Sequence, residues 1–235
     1  MLSEECWCNV LVMALCYAYV GGVIFVASKM RLDASFSEKA SRRFLHTMIG
    51  NLVFIVPFFT LPVYPVAVAA PFVVFTFLAT PYSRLKVASQ RLKGLVAITE
   101  KGHRLGLVFY ALSYTVLALI FASRSYVMAA GVLPMAYGDS IASIVGEKWG
   151  RRRYRVVADK SVEGSLAMFL VSLSSLLASL IYFSAFYSLT FPGFLLPAVV
   201  AVSVAIVAEG FSPLGLDNLT VPLLSAFVFA ALIGG

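Results

Sequence analysis

Helix-length apolar stretches of about 18 to 22 residues, separated by short polar segments, recur along this chain from residue 7 to its end. At ~1.5 Å per residue, a helix of that length crosses the ~30 Å hydrocarbon core of a bilayer. The strands of a membrane barrel would instead read as ~10-residue segments of alternating polarity. The pattern therefore predicts an all-α, polytopic transmembrane helical bundle, a single integral membrane domain over 1–235. Eight helices are predicted, over 7–28, 44–61, 63–80, 105–123, 125–145, 164–184, 188–207 and 218–235. A count of seven follows if one early helix is dropped. Pro57, Pro62, Pro65 and Pro71 crowd the second and third helices; proline removes a backbone donor, which neighbouring helices or water can compensate inside a bundle.

The basic residues favour the count of eight. Lys29, Arg31, Lys39, Arg42 and Arg43 fall in the segment 29–43. Arg84, Lys86, Arg91, Lys93, Lys101 and Arg104 fall in 81–104, and Lys148, Arg151, Arg152, Arg153, Arg155 and Lys160 in 146–163. With eight helices these three loops share one side and only Arg124 lies opposite. With seven the charges scatter. Lysine and arginine collect in cytoplasmic loops, so the basic face is expected in the cytoplasm and both termini outside. The loop 208–217 falls on the same side and carries Glu209 and Asp217 but no basic residue. The working face is thus expected to be cytoplasmic. The mixed basic and apolar stretch 83–100 suits an amphipathic helix in the headgroup plane and equally a solvated connector.

Composition agrees. The chain is 61% hydrophobic and 12% charged, with a mean hydropathy of +0.94, whereas a soluble domain would be about half apolar and about a quarter charged. The net charge of +7 is explained by the one-sided loops, so no nucleic-acid partner is inferred. Cys6, Cys8 and Cys16 all lie in the first segment; an odd, clustered set argues against a disulfide framework. The start, Met1 to Glu5, is acidic and lacks the basic region of a secretory signal, so the first apolar run is expected to stay as a membrane helix.

Four places hold candidate chemistry. Asp139 lies six residues before the end of the predicted fifth helix, about 9 Å along it at ~1.5 Å per residue. A carboxylate at that depth is costly and marks a functional site by default. Ala142 and Gly146 share a helix face and Ser143 lies one turn from Asp139, so another backbone or a phosphate can approach closely. An acid paired with arginine beside a helix-packing motif would read alike. The loop that follows, with Gly146, Gly150, Arg151, Arg152, Arg153, Lys160 and Gly164, suits a polyphosphate: arginine forks match phosphate oxygens and lysine supplies a point charge. The same loop would anchor on anionic lipid. It is not a Gly-x-x-x-x-Gly-Lys-Ser/Thr phosphate loop.

The third place, Glu209 to Pro222, sets two acids and Asn218 around a Gly/Pro turn. Magnesium takes one or two carboxylates plus substrate phosphates, and Asp139, Glu209 and Asp217 would serve; a polar turn with Asp217 as helix cap is the plainer alternative. The fourth is Arg42-Arg43 entering the second helix, a phosphate clamp or the end of a positive-inside loop. His46 and His103 have no ligand at metal spacing, so zinc is not expected.

At these places the chain resembles the dolichol kinase, phytol kinase and diacylglycerol kinase family that uses CTP as phosphate donor. The resemblance rests on Gly138-Asp139-Ser140-Ile141-Ala142-Ser143-Ile144-Val145-Gly146 with Trp149-Gly150-Arg151, on Lys160-Ser161-Val162-Glu163-Gly164-Ser165, and on Glu209 to Pro222. Arg42-Arg43 stands where the family often shows Arg-Lys, which keeps the charge. The resemblance implies transfer of the γ-phosphate of CTP to the hydroxyl of a membrane isoprenoid alcohol of dolichol or polyprenol type. Phytol, geranylgeraniol and diacylglycerol are alternative acceptors. It further implies Mg2+; Asp139 as base or metal ligand; Lys160 as a catalytic residue; phosphate contacts among Arg42, Arg43, Gly138, Ser140, Ser143, Gly146, Gly150, Arg151, Arg152, Lys160, Ser161 and Gly164; and Glu163, Glu209 and Asp217 as metal or orienting groups. Eukaryotic dolichol kinases are usually much longer, so the resemblance points to a short prokaryotic, archaeal-type membrane protein, or to the endoplasmic reticulum in a eukaryote.

Rival readings make different demands. A CDP-lipid-forming cytidylyltransferase would show Lys-Asp-x-Gly and His-Gly-Gly, and a CDP-alcohol phosphotransferase Asp-Gly-x-x-Ala-Arg with further aspartates. A prenyltransferase would show Asp-Asp-x-x-Asp. None of these runs is present. A small transporter would suit buried acids and broken helices, but leaves the one-sided glycine-arginine loop unexplained.

Overall fold

The computed structural model describes residues 2–33, 35–84, 104–157, 159–189, 191–213 and 215–234. His103 and nearly all of the stretch 83–100 lie outside them. Among the described residues the chain is all-α apart from one short hairpin. Its elements are α1 (Leu2–Leu32), α2 (Glu38–Gly50), α3 (Val63–Leu78), α4 (Gly106–Phe121), α5 (Ser125–Leu133), α6 (Ser140–Trp149), β1 (Arg153–Arg155), β2 (Asp159–Ser161), α7 (Val162–Phe183), α8 (Phe191–Phe211) and α9 (Asp217–Leu232). Among the described residues, four helical stretches are long and apolar enough to cross a membrane: Cys6–Leu32, Gly106–Trp149, Val162–Phe183 and Pro192–Phe211. Val63–Leu78 and Asp217–Leu232 are apolar but shorter. Large side chains such as Trp7, Leu15, Phe25, Leu119 and Leu196 are exposed on these helices, which is the surface lipid would cover.

The stretch Gly106–Trp149 is 44 residues long, about twice what a bilayer core requires. Its regular course is interrupted at Ala122–Arg124, and Arg124 leaves helical geometry (φ −130°, ψ 61°). A second interruption, a π-helical turn over Pro134–Asp139, separates α5 from α6.

The chain forms two compact units, Met1–Ser123 and Arg124–Gly235. In the first, α2 packs on α1 and α3 on α4. Ser37 caps α2 by accepting the Ala40 N–H at 3.1 Å. Ser41 donates to the Ala27 carbonyl (2.5 Å) and Tyr19 to the Met48 carbonyl (2.8 Å), tying α2 to α1. Val23, Ala27, Leu45, Ala79 and Leu107 form a core cluster. Regular helix ends at Gly50 and gives way to 3-10 turns over Asn51–Phe54 and Val56–Phe58, where Pro57 cannot supply the N–H an α-helix needs. The apolar run 44–61 is therefore not one straight helix. Asn9 holds the turn that follows, donating to Thr60 Oγ1 (2.7 Å) and accepting its N–H (2.9 Å).

In the second unit α5, the π turn, α6, α7, α8 and α9 pack together, with α7 and α9 both against the π turn. Phe183, Phe229, Met128, Leu133, Met135, Met168, Leu176 and Leu180 are fully buried. Ser225 on α9 donates to the carbonyls of Ala130 (2.7 Å) and Ala201 (3.2 Å), bonding to α5 and α8 at once.

Candidate active site

Three of the four acids singled out by sequence, Asp139, Glu209 and Asp217, come together in the second unit around one lysine. Asp139 closes the π turn. Such turns are rare and recur at functional sites, because the extra residue re-aims the side chains around it. The loop after α6 is an antiparallel hairpin, β1 to β2, pairing Arg153 with Ser161, Tyr154 with Lys160 and Arg155 with Asp159. Cross-strand partners share a face, so Tyr154 and Lys160 lie together while Arg153 and Arg155 point the other way and are exposed. Tyr154 hydrogen-bonds Ser165 on α7 (2.6 Å), and the Val157 N–H donates to the Gly210 carbonyl at the end of α8 (3.3 Å). These bonds set Lys160 against Glu209. The two form an ion pair whose side chains are 22% and 4% exposed.

Lys160 also lies within electrostatic reach of Asp139 and Asp217. Burial pulls its ammonium pKa down, but Glu209 first, then Asp139 and Asp217, outweigh that and hold it above the ordinary lysine value. Asp217, in the first turn of α9, is 8% exposed and accepts the Asn218 N–H (3.0 Å). Gly215, with φ of 85°, makes the turn into α9 in a conformation L-residues avoid, and its carbonyl accepts Asn218 Nδ2 (3.1 Å). The Asn218 Oδ1 is buried and has no hydrogen-bond partner among the described residues. Its signal in the sequence is a carboxamide beside an acid at a predicted helix start. The arrangement sets carboxylate oxygens around one positive point charge, a combination that would suit phosphate oxygens.

Other predicted residues have different surroundings. Glu163, in the first turn of α7, accepts the backbone N–H of Arg151 (3.1 Å) and of Arg152 (3.3 Å). Its oxygens therefore fix the course of the arginine loop. Arg151, Arg152 and Arg153 are exposed at its surface. Arg42 and Arg43 lie on α2, in the first unit. Ser140 is buried and Ser143 half-buried on α6, and Gly138 lies against Ser172 of α7. Ser161 caps α7, accepting the Gly164 N–H at 3.1 Å, and Gly150 ends α6 beside it. Among the described residues no three His, Cys, Asp or Glu side chains converge on one metal position.

The small face of Ala142 and Gly146 meets another backbone. A Cβ on Gly164 would stand 3.0 Å from the Ala142 carbonyl oxygen and 3.4 Å from the Gly146 Cα. Gly164→Ala is accordingly expected to destabilise the protein by ~1–3 kcal/mol through overpacking. A lowered melting temperature in detergent, with an unchanged circular dichroism spectrum at 20 °C (about room temperature), would show it. An unchanged melting temperature would mean that α6 and α7 are not in contact there.

No family model and no solved structure matches the chain. Curated relatives do. It is 36% identical over 226 residues, 93% of this chain and 90% of the relative, to the phytol kinase of Synechocystis sp. (strain ATCC 27184 / PCC 6803 / Kazusa). It is 27% identical over 124 residues (52% of this chain, 40% of the relative) to the chloroplastic farnesol kinase of Arabidopsis thaliana. It is 33% identical over 75 residues (32% and 34%) to the CTP-dependent diacylglycerol kinase 1 of Schizosaccharomyces pombe. Similarity that runs nearly the whole length of both chains has one reading: the chain belongs to the polyprenol, phytol and diacylglycerol kinase family, phosphotransferases with an alcohol as acceptor.

Proposed function

We propose that this protein transfers the γ-phosphate of CTP to the hydroxyl of an isoprenoid alcohol in the membrane, releasing CDP and the lipid monophosphate. The observation that carries the reading is the grouping of Asp139, Glu209 and Asp217 around Lys160 beside an exposed arginine loop. CTP is favoured as donor because one relative is named for it. The relatives named for phytol and farnesol favour an alcohol of that size over dolichol, with diacylglycerol as the alternative.

In this scheme Arg151 and Arg152 receive the triphosphate from the cytoplasm and Lys160 leaves Glu209 to contact a phosphate oxygen. The alcohol oxygen bonds to the γ-phosphorus as the bond to the β-phosphate oxygen breaks. Asp139 takes the hydroxyl proton. The donor set also fits Mg2+, since the residues on hand are hard oxygens and the Asn218 Oδ1 is buried without a partner among the described residues. Glu209, Asp217 and Asn218 would hold the ion with phosphate oxygens completing its shell, and it would neutralise charge on the transferring group. Seventeen of the 18 basic residues fall in the three sequence stretches 29–43, 81–104 and 146–163, which supports a cytoplasmic active face and external termini.

Purified protein given Mg2+, CTP labelled in the γ-phosphate and phytol, farnesol, dolichol or diacylglycerol is expected to move label into the lipid phase, most with phytol or farnesol. Release of pyrophosphate with a CDP-lipid would replace this reading with cytidylyl transfer. No turnover of any triphosphate would end it.

A further inference from the structure

In the second unit, three glycines close around one hydroxyl. A Cβ on Gly146 would stand 3.0 Å from Ser161 Oγ, one on Gly150 2.8 Å from it and one on Gly164 2.9 Å from it. All three distances are closer than ordinary van der Waals contact. None of the three glycines has a positive φ; among the described residues only Gly215 and Gly234 do. What glycine supplies around Ser161 is therefore room, not backbone freedom. Ser161 itself is 6% exposed, and its hydroxyl accepts the Gly164 N–H at 3.1 Å.

A helix cap alone does not require this arrangement. Serine, threonine, aspartate and asparagine all cap helices, and a cap needs one acceptor and one N–H. Gly146 lies inside α6, where glycine is less favourable than alanine, so its presence points to the space it leaves for Ser161. The charged groups of the site converge on the same point of the chain. Val162, next in sequence, donates its N–H to the Arg152 carbonyl (2.9 Å), and Glu163 holds the N–H groups of Arg151 and Arg152. Lys160, the residue before, pairs with Glu209. Successive side chains of a strand point to opposite faces. Seating Ser161 against the glycines of α6 and α7 therefore turns Lys160 to the other side of β2, and a slip of one residue would reverse the two.

We propose that Ser161 is a positioning residue for Lys160: Gly146, Gly150 and Gly164 form a socket sized for its hydroxymethyl group, and the seated serine fixes the strand that presents the lysine to Glu209 and to substrate phosphate. The phosphate part rests on the lipid-kinase reading; the hold on Lys160 does not. The glycines then serve the lysine through Ser161.

The test uses the full chain in phosphatidylcholine nanodiscs. Lysines are acetylated with trace isotope-labelled acetic anhydride and read by peptide mass spectrometry, with the exposed Lys148 as internal reference. Ser161→Ala is expected to raise Lys160 labelling relative to Lys148 about fivefold, the worth of one hydrogen bond. It is also expected to lower kcat for transfer from labelled CTP by up to about 10²-fold through misplacement of the lysine, with KM for phytol unchanged. Gly146→Ala keeps the hydroxyl but crowds it, and is expected to act in the same direction. In the Ser161→Ala background it is expected to add nothing, because the atom it crowds is gone. Should Ser161→Ala fail to fold, Gly146→Ala alone decides. A folded Ser161→Ala variant that melts earlier but keeps the parent's Lys160 labelling and kcat would reduce Ser161 to a helix cap and overturn the proposal. Additive effects of the two substitutions would remove the socket. Labelling that rises as expected in a protein with no transfer leaves the hold on Lys160 standing and removes the kinase reading. Transfer by the parent, with Lys160 labelling unchanged in both variants, removes the positioning role alone.

Discussion

Asp139→Asn is expected to lower label transfer from CTP by about 10²–10⁴-fold while the helices stay intact. The substitution keeps the volume of the side chain and its place at the end of the π turn. It removes a proton acceptor and a negative charge. Loss of a positioned general base costs about 10²–10⁴, and loss of a charge arranged around a transferring phosphoryl group is of similar size. The measurement is the initial rate of lipid phosphorylation with phytol, beside a melting curve and gel filtration in detergent to show that the variant folds. A folded variant with a rate within about threefold of the parent would remove Asp139 from the chemistry. A lowered kcat with unchanged KM for the alcohol would place its effect in the transition state.

Lys160→Met is expected to cost stability and activity together. It leaves Glu209, 4% exposed, without its partner and beside two further carboxylates. Removing one member of a buried pair costs ~3–5 kcal/mol, because the remaining charge stays in a poorly solvating environment. The lysine is 22% exposed, so solvent screens part of the pair and the lower end of that range applies. Lys160→Met with Glu209→Gln removes both charges and is expected to recover part of the lost melting temperature, while transfer remains abolished. Equal melting temperatures for the single and double variants would show that the two groups are not energetically coupled. Wild-type transfer in the double variant would exclude Lys160 from phosphate contact.

Much of this site is legible in the order of residues along the chain. Acids are scarce inside apolar segments, so Asp139, Glu209 and Asp217 stand out by position alone, and the density of Arg151, Arg152 and Lys160 in one loop points to phosphate. The partners of these groups are not legible. Lys160 and Glu209 are 49 residues apart, and no spacing rule links them. The alternation in Arg153-Tyr154-Arg155 is too short to declare a strand, so the hairpin that aims Lys160 reads as a plain loop. The glycines are ambiguous for the same reason. Close approach is what glycine permits, and only the packed backbone shows that Gly146 of α6 meets Gly164 of α7. Glu163 reads as a metal ligand or an orienting group, and its two oxygens are bonded to the N–H groups of the loop it precedes in space and follows in sequence.

The class of the molecule follows from its residue pattern without further help. Apolar runs long enough to span a bilayer form helices there, because a single uninterrupted run can satisfy its backbone polar groups within itself only as a helix. One-sided lysine and arginine then name the face where charged substrate is expected. Packing settles what periodicity cannot carry: which acid receives the lysine, which carboxylate clamps a loop, and where the π turn places Asp139. Those are contacts between elements far apart along the chain. Local propensity constrains the backbone within a few residues of itself, whereas the grouped charges that make a site arise only when distant faces are packed together.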